Sequence, residues 1–137
     1  MDHSNSQKTQ KQIVGSVGED IASRFLKEKS FKIVTRNYRK KFGEIDIVAE
    51  KSGETHFVEV KTVSCESNRI AGNDNDNFRA EDNVHPWKLK RLSRAIQAYL
   101  SEKNISEESR WQFDVVTVLL DEKRKTARVR FIDDIVL

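Results

Sequence analysis

The stretch FGEIDIVAEKSGETHFVEVKT, residues 42–62, decides the fold. Polar and apolar side chains alternate through both halves, as in strands, and Ser52-Gly53 between them is a two-residue hairpin loop. With those residues at the turn, Lys51 pairs with Glu54, and the register runs back to set Asp46 opposite Glu59 and Glu44 opposite Lys61. Side chains alternate across a strand, so Glu59 and Lys61 share a face, and directly opposed residues have Cβ atoms roughly 4.5–5.5 Å apart. Two carboxylates and an ammonium therefore converge on one small patch. Like charges directly opposed destabilise a sheet. A divalent cation removes the conflict: magnesium and manganese favour one or two carboxylates and keep waters that a phosphate can displace. The competing reading is an exposed strand face whose acids are separately solvated or paired with lysines, and spacing alone does not choose. The other face of the hairpin carries Ile45, Ile47, Ala49, Val58 and Val60, which predicts one face in the core and one bearing the acids.

Upstream, residues 1–12 are polar and without periodicity and are expected to form a flexible tail, leaving 13–137 as a single domain. From Val14, apolar residues recur at Val17, Ile21, Phe25 and Leu26, which predicts a first helix. Glu19 lies on the flank of that stripe. It either reaches across to the sheet or is an ordinary glutamate favoured near a helix start by the macrodipole. Residues 31 to about 38 alternate as a first strand.

Downstream, residues 64–83 are rich in Asn, Asp and Gly and predict a long, mobile loop. Pro86 then opens a second helix with Leu89, Leu92, Ile96 and Tyr99 as its buried stripe. Lys90, Arg91 and Arg94 project from the opposite face, with Trp87 one turn earlier on the same basic side. Cations interleaved with an aromatic suit a phosphate backbone or an unpaired base, and equally suit a solvated helix face. WQFDVVTVLL at 111–120 reads as an interior strand and 126–132 as a last strand, with the closing DDIVL expected to pack down at its hydrophobic end. The order helix, three strands, helix, two strands gives an α/β fold with a mixed five-stranded sheet flanked by helices.

The 137 residues carry a net charge of +3, and 34% are charged against 36% hydrophobic. No apolar run is long enough to span a bilayer, and the first residues lack the apolar core of a signal peptide, so a cytoplasmic location is expected. A single cysteine, Cys65, and isolated histidines exclude disulfide frameworks and zinc clusters.

GED at 18–20, Ala22, Phe25-Leu26, Asn37, Arg39, GEIDIVAE at 43–50, FVEVKT at 57–62, Lys88, Arg91-Leu92, Tyr99-Leu100 and FDVV at 113–116 together resemble the YraN family of bacterial endonuclease-like proteins. That family is similar to the PD-(D/E)xK nuclease superfamily, in particular to archaeal-type Holliday junction resolvases. The resemblance implies a restriction-endonuclease-like fold. It also implies metal-dependent hydrolysis of phosphodiester bonds in DNA, including branched or junction DNA. The motif falls on Asp46, Glu59 and Lys61, and the resolvase-like helix glutamate on Glu19, making these the implied catalytic residues. Magnesium or manganese would be held by Asp46, Glu59 and the main-chain carbonyl of Val60, with Glu19 acting through a water or when a second ion enters. Trp87, Lys88, Lys90, Arg91 and Arg94 would bind nucleic acid. A homodimer is implied by the same likeness, whereas the expectation of no membrane partner rests on the lack of a bilayer-spanning apolar run. Ile45 stands where the motif's nominal proline would be, and Ser30 where relatives carry glycine. The rival readings are a non-cleaving nucleic-acid-binding module on the same fold and a protein-interaction subunit.

Overall fold

The computed structural model describes residues 9–65, 86–106 and 108–136, without the side chains of Cys65, Pro86 and Trp87. Helix α1 spans Gln10–Glu28. It begins four residues before the expected Val14 because Thr9 caps it. The Gln12 amide donates to Thr9 Oγ1 at 3.1 Å, and the Thr9 amide donates to Gln12 Oε1 at 2.9 Å, a capping box that satisfies two otherwise orphan donors. Residues 10–12, expected in a tail, are thus helical. The helix ends at Ser30, left-handed at φ 73°, where glycine is the usual choice. There the Phe31 amide closes back onto the Leu26 carbonyl at 2.9 Å.

Five strands follow in one sheet, ordered β1-β2-β3-β4-β5. They are β1 (Lys32–Lys40), β2 (Gly43–Lys51), β3 (Glu54–Cys65), β4 (Trp111–Asp121) and β5 (Thr126–Ile132), with helix α2 (Pro86–Glu102) between β3 and β4. Neighbours are antiparallel except β3 and β4, which run parallel, as a crossover through a helix requires. The β2–β3 turn is the expected Ser52-Gly53 loop. Both residues are left-handed, at φ 53° and 79°, as a type I′ hairpin demands, and Lys51 pairs with Glu54. Strand β3 runs two residues into the expected 64–83 loop. The rest of that loop lies outside the described residues.

Both faces of the sheet are buried, which corrects the expectation of one core face and one acidic face. Against α1 lie Ile47, Ala49, Val58, Val116 and Val118, packed with Ala22 and Leu26. Against α2 lie Ile45, Val48, Phe57, Phe113 and Val115, packed with Leu92, Ala95, Ile96 and Tyr99. Burying each such side chain contributes about 1.5–3 kcal/mol, so the two layers hold the sheet between the helices. The assignment of Ile45 to the same face as Ile47 is also corrected. Strand β2 changes faces at Asp46, across from Asn37, whose left-handed φ of 55° falls between the pairs Arg36↔Ile47 and Tyr38↔Ile45. At the C-terminus Ile135 packs on the core and its amide donates to the Phe113 carbonyl at 2.7 Å. Val136, expected to pack with it, is 89% exposed. No helix among the described residues is long and apolar enough to cross a membrane.

Candidate functional site

The β2–β3 ladder runs from Lys51↔Glu54 to Ile47↔Val58 and stops one pair short of Asp46 and Glu59. Asp46 takes the next amide with its side chain instead: the Val60 N–H donates to Asp46 Oδ2 at 2.8 Å. Beyond this point β2 pairs only with β1, and Glu44 faces Arg39, 3.4 Å away, rather than the expected Lys61. The strands therefore fork. The opening is a cleft of about 700 Å³ lined by Glu44 and Asp46 from β2, Glu59 to Thr62 from β3, Lys11, Gly15 and Glu19 from α1, and Lys88 and Arg91 from α2. Because it opens where the sheet parts, residues of helices on opposite faces reach the same space.

Two glycines set how closely the helices frame it. A Cβ at Gly18 would collide with the Thr62 side chain, and one at Gly43 with the Arg91 main-chain carbonyl. Each precedes an acid of the cleft, Glu19 and Glu44, so the close approaches bring those two acids to its edge.

Asp46 and Glu59 meet in the cleft as expected, although not as a ladder pair. Burial pushes the Asp46 carboxyl well above the usual carboxylate range, and the charge of Glu59 pushes it further. The Val60 amide works the other way without winning, and Glu19 adds a smaller upward push. Glu59 is 6% exposed and pairs with the Lys88 ammonium. Burial alone would lower the Lys88 pKa. The charge and hydrogen bond of Glu59, with Asp46 and Glu44 behind them, outweigh burial and raise it.

Lys61 lines the cleft and pairs with no carboxylate among the described residues. Val60 lines it too. Glu19 lines the α1 side, 3.6 Å from Arg36, which also bonds Asp20 at 2.9 Å. Arg36 was not legible as a neighbour of the site, since it comes from β1 and is set on the α1 face by the register shift between Ile33 and Thr35, which strict alternation does not show. Of the basic residues on α2, Lys88 and Arg91 line the cleft, whereas Lys90 and Arg94 are exposed outside it. The side chain of Trp87 lies outside the described residues.

Among the described residues no three His, Cys, Asp or Glu side chains gather at one point. A closed zinc or calcium cage is therefore not built from them. Two abutting, partly desolvated carboxylates open to a cleft do match the sparse ligand set that magnesium and manganese accept.

At the far end of the same strands His56 Nδ1 stands 2.7 Å from Asp114 Oδ2. Its members are 58 positions apart, and although Asp114 stands in the FDVV stretch, nothing in the sequence links it to His56.

A family profile described as "Uncharacterised protein family UPF0102" matches residues 18–118. Similar chains include a UPF0102 protein of Wolinella succinogenes, 36% identical over 123 residues, covering 90% of this chain and 95% of that one. Another, from Corynebacterium efficiens, is 40% identical over 115 residues, covering 83% of this chain and 84% of its own. A third, from Helicobacter pylori, is 40% identical over 90 residues, covering 66% and 68% respectively. The matched span begins at Gly18, beside Glu19, and takes in Asp46, Glu59, Lys61, Lys88 and Arg91. The chain belongs to the UPF0102 family, the YraN family that its motifs resemble.

Proposed function

We propose that this protein is a divalent-cation-dependent nuclease that hydrolyses phosphodiester bonds of DNA, with branched or junction DNA as the favoured form. The observation that carries the reading is the Asp46–Glu59 pair held at a fork in the sheet with Lys61 beside it. A protein gains nothing in stability by driving a half-buried carboxylate against a buried one. The likeness to PD-(D/E)xK nucleases, and among them to Holliday junction resolvases, supplies the substrate class.

In this reading Asp46, Glu59 and the main-chain carbonyl of Val60 hold magnesium or manganese, and Glu19 completes the site. Bound there, the cation supplies Lewis acidity, activating water and offsetting charge that builds on the phosphate. The Val60 amide fixes the Asp46 carboxylate. Lys61 orients the attacking water and stabilises the same negative charge, an electrostatic task rather than that of a general base. Arg91 and Lys88 grip the phosphate inside the cleft. Lys90, Arg94 and Trp87 add backbone contacts along α2 that are independent of sequence and weakened by salt. The protein works in the cytoplasm, as a homodimer where the substrate is a symmetrical junction.

The test is incubation with labelled four-way junction, flap, single-stranded and duplex DNA and with RNA, in Mn²⁺ or Mg²⁺, alongside Asp46→Ala and Lys61→Ala. Cation-dependent cleavage that drops at least about 10²-fold in both variants is expected. Cleavage persisting in Asp46→Ala would expose a contaminant and overturn the reading. Cation-independent binding without cutting would favour a binding module, and no affinity at low salt would favour a protein-interaction subunit.

A further inference from the structure

Glu59 has one cationic partner among the described residues, the Lys88 ammonium, and the two ends of that pair differ sharply in freedom. Glu59 sits in the middle of β3, opposite Val115 of β4, with its side chain 8% exposed. Lys88 is the third residue of α2, with its side chain 44% exposed on a long flexible stem. A nearly buried carboxylate needs a counter-charge at all times. A divalent cation on Glu59 and an ammonium in the same place would repel one another strongly.

We propose that Lys88 is the resident counter-ion of Glu59, giving way when a divalent cation takes that carboxylate, and that the released ammonium then serves as a phosphate ligand. This rests on the cation-dependent reading above. The exchange leaves Glu59 compensated both before and after. It also leaves Lys88 in the cleft, three positions from Arg91 on the same helix, so that two cations face the substrate together. Lys61, lacking a carboxylate partner among the described residues, and Asp46, already held by Val60, have no such exchange to make.

The experiment is calorimetric titration of Mn²⁺ into the full chain and into Lys88→Met, Lys88→Gln and Arg91→Met, with thermal melts to establish that each is folded. Removing the competing ammonium should tighten Mn²⁺ binding about tenfold or more in both Lys88 variants, and Arg91→Met, which breaks no carboxylate pair, should change it by about twofold or less. Unchanged or weaker binding in the Lys88 variants overturns the inference while leaving the cation site intact. Equal tightening in Arg91→Met overturns it in favour of a general field effect. No Mn²⁺ binding by any of the four proteins overturns the cation-dependent reading and this inference with it. A second measurement uses the non-cutting Lys61→Ala background and a labelled DNA duplex at low salt. Adding Lys88→Met should weaken binding several-fold with Mn²⁺ present and little without it, and equal weakening in both conditions overturns the exchange.

Discussion

Two aspartates in one sheet, one buried and one half-buried, have opposite surroundings. Asp114 on β4 is fully buried and well partnered: Gln112 Nε2 at 2.7 Å and the Asp134 amide at 2.9 Å donate to Oδ1, and His56 Nδ1 stands 2.7 Å from Oδ2, where an ionised carboxylate requires it to be the donor. A carboxylate accepts only, so this arrangement satisfies it and pins the C-terminal segment to the sheet. Asp46 on β2 accepts from one main-chain donor among the described residues, the Val60 amide, and otherwise faces the acids Glu59 and Glu19. The difference separates an acid placed to hold the fold from one whose placement makes sense only once something positive arrives. Depth of burial alone would have ranked them the wrong way round for function.

The contrast can be attacked at either end. The largest effect is expected from Asp114→Ala, which strands three donors and should cost about 3 kcal/mol, a fall in Tm of roughly 10 °C, read by thermal melting. If Tm hardly moved, Asp114 would not be the structural member of the pair. Next comes cation binding: Mn²⁺ at about a hundred times its Kd should stabilise the wild-type chain by about 2.7 kcal/mol and leave Asp46→Ala unmoved. Equal stabilisation of both would place the ion elsewhere.

The smallest effect tests the repulsion itself. Burial and Glu59 keep the proton on Asp46 to higher pH than in the unfolded chain, so the unfolded state releases it first. Stability of the cation-free protein therefore falls as pH rises from the ordinary carboxylate range through the raised folded value. Asp46→Asn removes that loss. It should melt a few degrees higher than wild type at pH 7, with the difference closing below about pH 4, where both states are protonated. A lower melting point at pH 7 would mean that Asp46 is stabilising and that the contrast with Asp114 is mistaken.

Much of the frame was legible in the sequence because local chemistry carries it. Ser52-Gly53 dictates a turn that only left-handed residues make, and from it follow the hairpin and the convergence of Asp46 with Glu59. Pro86 and the stripe through Tyr99 place α2 where it is found. What escaped depended on contacts far apart in the chain or on backbone that alternation does not encode. The left-handed Asn37 turns Ile45 to the opposite layer from Ile47, and a period-two pattern has no symbol for that. The pairing of Lys88 with Glu59 needed the rotation of α2 over the sheet, fixed by Gly43 against Arg91. The early start of α1 lay in Thr9 and Gln12, polar residues whose value is a cap rather than a stripe.

The side-chain bond from Asp46 to the Val60 amide bears on which substitutions lineages can tolerate. That amide is the donor the hairpin would use to continue zipping toward Gly43. A β-branched residue at 46 would surrender the acceptor and invite the main chain to supply one, drawing β2 and β3 together over the space between the helices. The acid and the opening are thus inherited as a single trait: a descendant that lost the carboxylate to valine would tend to close the gap as well, and regaining the residue later would mean prising apart a sheet already healed.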